Sequence, residues 1–246
     1  FDAIRVPLDD VKRIKNAVPG ATVNDAAIAI VGGAMRSYLQ AHDELPEQSL
    51  AAMAPINVRS DRDEAGGNIV STMTVRIRND IEASLERLRA VHESTRDAKE
   101  YTEAIGARAM TDYTQFIPST LTARAARLAS RWHLANRMSP QYNCDITNVP
   151  GPHVPLYNTG AKLVASYGTG PVLDGLGLFH AIGSYCGDFM ISATACREMM
   201  PDPAFYRQCL QDSFDALLAA AETTAQRAKK RNTSTTARKA RKKKAA

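Results

Sequence analysis

Few side chains in this chain combine reactive type with a backbone built to aim them. The clearest set is Asp145-Ile146-Thr147-Asn148-Val149-Pro150-Gly151-Pro152. A β-prone run, Tyr142 to Val149, ends abruptly in Pro-Gly-Pro. Two prolines fix φ and remove two backbone donors, and the glycine between them is free to take φ > 0. The turn therefore presents a hydroxyl, Thr147, and an amide, Asn148, at a strand end. Turns stiffened in this way border ligands or simply punctuate the surface, and the segment alone leaves both open. A second set is Asn24-Asp25, at the start of an apolar helix. It reads as a helix cap, or as a helix start whose amide and backbone donors hold a substrate carbonyl. A third, Tyr167 to Leu178, carries Gly168, Gly170, Pro171, Gly175 and Gly177. Glycines against an apolar strand make room for an alkyl chain or mark turns.

The nucleophilic chemistries have no signature. His42, His92, His133, His153 and His180 are scattered, with no H-E-x-x-H spacing, and no serine lies in G-x-S-x-G. His42 and His92 fall on polar helical faces and read as solvated, and His180, in an apolar strand, as a core histidine with satisfied nitrogens. The sequence offers no base–nucleophile pair. Cys144, Cys186, Cys196 and Cys209 show no C-x-x-C spacing, so reduced thiols in a cytoplasmic protein are expected, with no metal.

These sets must be positioned by ordered elements. Residues 1–8 read as a strand, and Leu8, Val11, Ile14 and Val18 recur at helical spacing until Pro19-Gly20 stops them. Thr22 or Asn24 caps the next helix, which runs to about Ala41 with a small, apolar face containing Gly32-Gly33. Leu50–Val58 reads as a strand in which Pro55 suggests an edge, a bulge or an end. Residues 59–68 form a charged loop, Ile69–Ile77 a strand, and Asp80 opens a long amphipathic helix. Helices follow near 103–116 and 119–137, then strands at 142–149, 160–167, 175–185 and 188–196, the last two forming a hairpin around Cys186-Gly187. Pro201-Asp202-Pro203 opens a final helix to about Ala221. The order is not a regular βαβ alternation, so the expected class is α/β, a mixed sheet covered by helices.

With 246 residues and 44% hydrophobic content, the chain has enough length for a real core. Its net charge of +5 is a property of one end. No acidic residue follows Glu222, whereas Arg227, Lys229, Lys230, Arg231, Arg238, Lys239, Arg241, Lys242, Lys243 and Lys244 are all basic. Residues 1–222 are therefore read as the folded domain and 223–246 as a basic tail without a core, expected to be disordered. No apolar run is long enough to span a membrane, and no signal peptide is visible. The start at Phe1, inside a strand-like run, reads as a cut within a longer protein.

Taken together, the motifs resemble one family. Thr22-Val23-Asn24-Asp25-Ala26-Ala27-Ile28-Ala29 resembles its ND motif, and Thr147-Asn148-Val149-Pro150-Gly151-Pro152 resembles its SNVPGP motif. Downstream, in order, come Pro155-Leu156-Tyr157, Gly160-Ala161, Pro171-Val172 with Gly175, Ser184-Tyr185-Cys186-Gly187, and Arg197 with Pro201-Asp202. Over roughly residues 1–222 the chain is similar to the C-terminal domain of bacterial wax ester synthase/acyl-CoA:diacylglycerol acyltransferases. The resemblance implies the fold of CoA-dependent acyltransferases, related to chloramphenicol acetyltransferase and to peptide-synthetase condensation domains, with two α/β domains flanking a tunnel. It places the general base in an HHxxxDG motif of the N-terminal domain, and this chain contains no HH pair.

Several expectations follow from the resemblance. The chain is the C-terminal half of an O-acyltransferase using acyl-CoA as co-substrate, without a cofactor, and diacylglycerol or a long-chain alcohol as acceptor. No catalytic residue of its own is expected. Asn24 would contribute to the active-site wall, with Asp25 supporting its helix start. Thr147 and Asn148 would sit near the reacting centre, held by the Pro150-Gly151 turn, where a hydroxyl or amide stabilises a developing oxyanion. Gly175 and Gly177 would shape the acyl or alcohol pocket. The expected partner is the HHxxxDG domain, and the basic tail suits an anionic membrane or lipid-inclusion surface better than nucleic acid. The alternative is a non-catalytic module derived from the family that binds lipid or a partner. Thr147 replaces the usual serine, keeping a hydroxyl. Cys196 stands where an Asp commonly precedes Arg197, which removes a structural ion pair.

Overall fold

A computed structural model describes residues 1–57, 70–105, 119–132, 134 and 141–244. Its strands are β1 (Asp2–Pro7), β2 (Ala51–Asn57), β3 (Val70–Arg76), β4 (Cys144–Pro150), β5 (Tyr157–Asn158), β6 (Ala161–Lys162), β7 (Leu178–Tyr185) and β8 (Asp188–Ala195). Its helices are α1 (Leu8–Asn16), α2 (Val23–Ala41), α3 (Ser84–Ile105), α4 (Ser119–Arg131) and α5 (Pro203–Lys244). Six strands form one mixed sheet in the order β1-β8-β7-β4-β2-β3, and β5 and β6 make a separate two-stranded ribbon. The expected α/β class, a mixed sheet with helices on it, is the architecture observed.

Side-chain alternation assigns the two faces of the sheet. Ile4 and Val6 of β1, Phe189, Ile191 and Ala193 of β8, Leu178 and Ile182 of β7, and Cys144 and Ile146 of β4 enter the main core. There they meet Val11 and Ile14 of α1, Ala26 to Ala34 of α2, Leu88 and Val91 of α3, and Leu210, Phe214 and Leu217 of α5. By the same alternation Asn148 belongs to this helical face and Thr147 to the opposite one.

Helix α2 is buried over most of its circumference, which requires small residues where neighbours press closest. A methyl group on Gly32 would overlap the Ile77 carbonyl oxygen, and one on Gly33 would overlap Ser213 Oγ and the Arg87 guanidinium. Arg87 is itself buried and has backbone carbonyls for partners: Nε donates to Ala29 (3.1 Å), and Nη1 to Ile81 (2.9 Å) and Glu82 (3.2 Å). Burial lowers its pKa to about 10, so it stays charged at neutral pH. Ser213 Oγ on α5 donates to the Ile30 carbonyl at 2.8 Å. The glycine pair thus lets α3 and α5 reach the backbone of α2.

Several expected elements differ in extent. Strand β2 lies inside the sheet, between β4 and β3, but it pairs with β4 only at Ala52 and Met53. Pro55 sits beyond that pairing, where its missing N–H removes no ladder bond to β4. The long helix opens at Ser84 and not at Asp80, and the strand expected over 160–167 shrinks to Ala161–Lys162. The helix expected near 119–137 ends at Arg131, and the loop at 59–68 and most of the helix near 103–116 lie outside the described residues. The hairpin at 178–195 is present, with Cys186 (φ 48°) and Gly187 (φ 91°) as its two-residue turn. Helix α5 does not stop near Ala221 but continues as helical backbone to Lys244. Residues 223–244 contain no glycine or proline and abundant Ala, Lys and Arg, which favour helix. Among the described side chains of this helix, the last in the core is Ala221.

Candidate functional site

The site is assembled where the start of α2 meets the end of β4. Thr22 caps α2 through a reciprocal pair: its Oγ1 accepts from Asp25 N–H at 3.1 Å, and Asp25 Oδ2 accepts from Thr22 N–H at 2.8 Å. Asn24 therefore occupies the first turn, between two fixed residues. Strand β4 runs parallel to β7, with Asn148 opposite Ile182 and Pro150 opposite Ser184. This register carries Asn148 to Asn24, where its Nδ2 donates to Asn24 Oδ1 at 3.5 Å. Residues 124 positions apart thus share one corner, leaving the Asn24 amide donors and the Asn148 carbonyl oxygen for another partner.

The Pro-Gly-Pro turn is held by the end of β7. Gly151 N–H donates to Ser184 Oγ at 3.3 Å, and a Cβ at Gly151 would overlap the Ser184 carbonyl oxygen. Only glycine allows that approach. Cys186 N–H donates to the Pro152 carbonyl at 3.2 Å. The buried Tyr185 hydroxyl accepts from Leu156 N–H (2.7 Å) and donates to the Leu163 carbonyl (3.1 Å), and so ties down the β5–β6 ribbon. The run Ser184-Tyr185-Cys186 is therefore the counterpart that fixes Thr147–Pro152.

The segment around and after the Pro-Gly-Pro turn carries many exposed apolar side chains. Val149, Val154, Leu156, Tyr157, Leu163, Val164, Tyr167, Val172 and Leu173 are all exposed, with Val149 68% and Val164 72% accessible. Nine large apolar side chains are thus exposed within 25 residues of sequence.

The remaining expected site residues are placed elsewhere. Thr147, half-buried, projects from the opposite face of the sheet beside Ala181. Gly175 (φ 79°) belongs to a tight reversal in which Leu173 and Leu176 exchange two hydrogen bonds of 2.9 Å. Gly177 packs against Met199 Sδ. Both lie at the start of β7, and Gly177 is about 17 Å from the level of Asn148 at the usual rise per strand residue. Gly168 and Gly170 lie where side chains would strike Ala181 and the Phe179 ring, so they let the connecting chain cross β7 closely.

His180 is the satisfied core histidine expected. It is fully buried, with Nδ1 3.3 Å from the Asp145 carbonyl and Nε2 2.7 Å from the Tyr206 hydroxyl. Burial lowers its pKa to about 4, so the ring is neutral and cannot exchange a proton near neutral pH. Burial likewise raises the Cys144 thiol to about 12, which removes it as a nucleophile. Among the described residues no cluster of His, Cys, Asp or Glu is arranged to hold a metal.

His92 corrects the sequence reading. It is not a solvated surface residue: its Nδ1 lies 3.0 Å from Asp25 Oδ2, across 67 residues of sequence. Thr95, one turn later on α3, donates to Asp25 Oδ1 at 2.6 Å. The spacing of His92 and Thr95 was the only local signal, and nothing in it names Asp25 as their partner.

Known proteins resemble this chain over most of its length. A family model described as the WS/DGAT C-terminal domain matches residues 66–218. A putative diacylglycerol O-acyltransferase of Mycobacterium tuberculosis is 33% identical over 198 residues, covering 80% of this chain and 39% of that protein. The wax ester synthase/diacylglycerol acyltransferase from Marinobacter aquaeolei VT8 superposes with a TM-score of 0.68 at 26% identity, covering 89% of this chain and 48% of its own. TRI3 trichothecene 15-O-acetyltransferase from Fusarium sporotrichioides, at 17% identity and a TM-score of 0.53, shares the fold. This chain thus spans less than half the length of the proteins it matches.

Proposed function

Because this chain belongs to the family of WS/DGAT C-terminal domains, we propose that it is the second half of an O-acyltransferase. The complete enzyme would move a long-chain acyl group from acyl-CoA to diacylglycerol or a fatty alcohol. The observation that carries the proposal is the Asn24–Asn148 corner, where two amides 124 residues apart in sequence are brought together.

In this mechanism the general base comes from an HHxxxDG domain that docks on the Val149–Leu173 surface. A histidine there takes the alcohol proton as the alcohol oxygen attacks the thioester carbonyl. The carbonyl oxygen then gains negative charge. The amide hydrogens of Asn24, left free by the Asn148 contact, point a neutral donor toward that charge. The free CoA thiolate leaves and takes up a proton. His180 is sealed in the core and His92 is committed to Asp25, so neither is placed to serve as the base for the first step. Gly175 and Gly177 would act, if at all on substrate, at the far end of the acyl or alcohol path.

The ten basic residues from Arg227 onward would hold the enzyme at an anionic lipid surface, each contributing about 1 kcal/mol near it. Among the described residues no helix is long and apolar enough to cross a membrane. Co-sedimentation with vesicles of anionic phospholipid that is unchanged on deleting residues 226–246 would remove this part of the proposal.

The test of the whole is ester synthesis. Co-expressed with an HHxxxDG-bearing domain, the chain should form wax ester or triacylglycerol from palmitoyl-CoA with hexadecanol or diacylglycerol, and alone it should form neither. Turnover by the chain alone, or no turnover by the pair, would overturn it.

A further inference from the structure

The single long contact between Asn24 and Asn148 does not by itself place the first turn of α2. At 3.5 Å it lies at the outer limit of a hydrogen bond. What fixes Asn24 must act on its backbone, and the neighbouring Asp25 is the residue through which that happens. Its carboxylate is 1% exposed. A cap alone would need one acceptor oxygen, but both are used. Oδ2 accepts from Thr22 N–H at 2.8 Å and faces His92 Nδ1 at 3.0 Å, and Oδ1 accepts from Thr95 Oγ1 at 2.6 Å.

The two outside partners come from α3, at positions three apart on one face. Thr95 is buried and His92 is partly so. The hydrogen bonds hold the Asp25 carboxyl below the usual carboxylate range, against the opposing effect of burial. An ionised carboxylate only accepts, so His92 Nδ1 carries the proton that faces Oδ2. The other nitrogen, Nε2, rests against Gly20, where a Cβ would come within 3.1 Å. Gly20, with φ 83°, both ends the chain leaving α1 and leaves room for the ring. An ionised Asp25 without these donors would place an uncompensated negative charge one residue from an amide that has to stabilise another.

We propose that His92 and Thr95 are positioning residues for Asn24. Through Asp25 they clamp the first turn of α2 to α3 and so set the Asn24 amide opposite Asn148. The importance of this geometry for ester formation rests on the function proposed above, but the clamp itself does not.

The experiment follows the side-chain amide resonances of Asn24 and Asn148 in the full chain by ¹⁵N NMR. Thr95→Val and His92→Leu each remove one clamp donor. Thr95→Ser and His92→Asn each restore a donor near the same place. The first two should shift or broaden both asparagine amides while distant backbone signals stay dispersed, and the second two should leave the amides close to wild type. With the HHxxxDG domain present, the first two should also lose kcat roughly 10- to 100-fold with little change in KM, as a misplaced group does. Unshifted amides in the folded Thr95→Val and His92→Leu proteins overturn the clamp. So does a general loss of dispersion that Thr95→Ser and His92→Asn share. Shifted amides with an undiminished rate uphold the clamp and overturn Asn24 and Asn148 as site residues.

Discussion

Replacing Asp25 separates its electrostatic part from its structural part. In Asp25→Ala the Thr22 N–H loses its capping acceptor, worth about 1 kcal/mol. His92 Nδ1 and Thr95 Oγ1 lose theirs in a largely buried place, and an unsatisfied donor there costs about 1–3 kcal/mol. Thr95 has a second acceptor, the His92 carbonyl, 2.9 Å away, which limits its share. The sum is a loss of about 2–4 kcal/mol, measured by urea unfolding at pH 7. In Asp25→Asn the amide oxygen still accepts from Thr22 and His92. The Thr95 proton turns to the His92 carbonyl and its oxygen accepts the new NH₂, so the cost should be nearer 1 kcal/mol. The pH dependence gives the second check. The folded Asp25 carboxyl titrates below its ordinary value, so its stabilisation is present above the unfolded carboxylate range and disappears as pH falls through the folded pKa. The gap in stability between wild type and Asp25→Asn should therefore close in acid. An Asp25→Ala protein within about 0.5 kcal/mol of wild type would refute the reasoning, because a loss that small is an ordinary surface effect. A gap that widens in acid would refute it as well.

Three other changes test other parts of the fold. Gly32→Ala should destabilise by about 1–3 kcal/mol in thermal or urea unfolding, because overlap with the Ile77 carbonyl outweighs the gain in helix propensity; a stabilised variant would contradict the close approach. Tyr206→Phe removes the partner of His180 Nε2 in the core and should cost about 1–3 kcal/mol, with no compensating protonation of His180 above pH 5 by NMR titration. Asp145 is buried, with Oδ1 lacking a partner among the described residues, and burial raises its pKa. Its raised pKa means that stability is lost as pH rises from the unfolded to the folded value, so Asp145→Asn should be at least as stable as wild type at pH 7. A clear loss there would show that the carboxylate has a favourable partner.

The features visible in the sequence are those whose cause is local. The cap at the start of α2, the Cys186-Gly187 hairpin turn and the arrest of β4 at Pro150 each depend on a few consecutive residues; the sequence places the last two and leaves the cap between Thr22 and Asn24, and the structure assigns it to Thr22. Asn24 and Asn148 could be named from their motifs, but their meeting depends on β4 pairing in parallel with β7 and on α2 crossing that end of the sheet. His92 was misread for the same reason. Its neighbours on α3 are charged, so the helical pattern assigns it to water, and only the packing of α3 on α2 brings Asp25 to it. Pro55 suggests an edge, a bulge or a strand end, whereas β2 lies inside the sheet and Pro55 stands opposite Thr72 of β3, beyond the short pairing with β4. The end of α5 reads as a tail from its charge, whereas its lack of glycine and proline and its Ala, Lys and Arg content are those of a helix.

The central claim is that Asn24 and Asn148 act as one unit on the reacting carbonyl, and a double-mutant cycle on ester formation tests it most directly. With the HHxxxDG domain present, Asn24→Ala and Asn148→Ala should each lower kcat by about 10²-fold or more, the scale of a lost oxyanion donor. The double variant should be scarcely slower than either single one, because the two amides share a single geometry. Full ester-forming rates in both single variants, or losses that simply multiply in the double, would contradict the account.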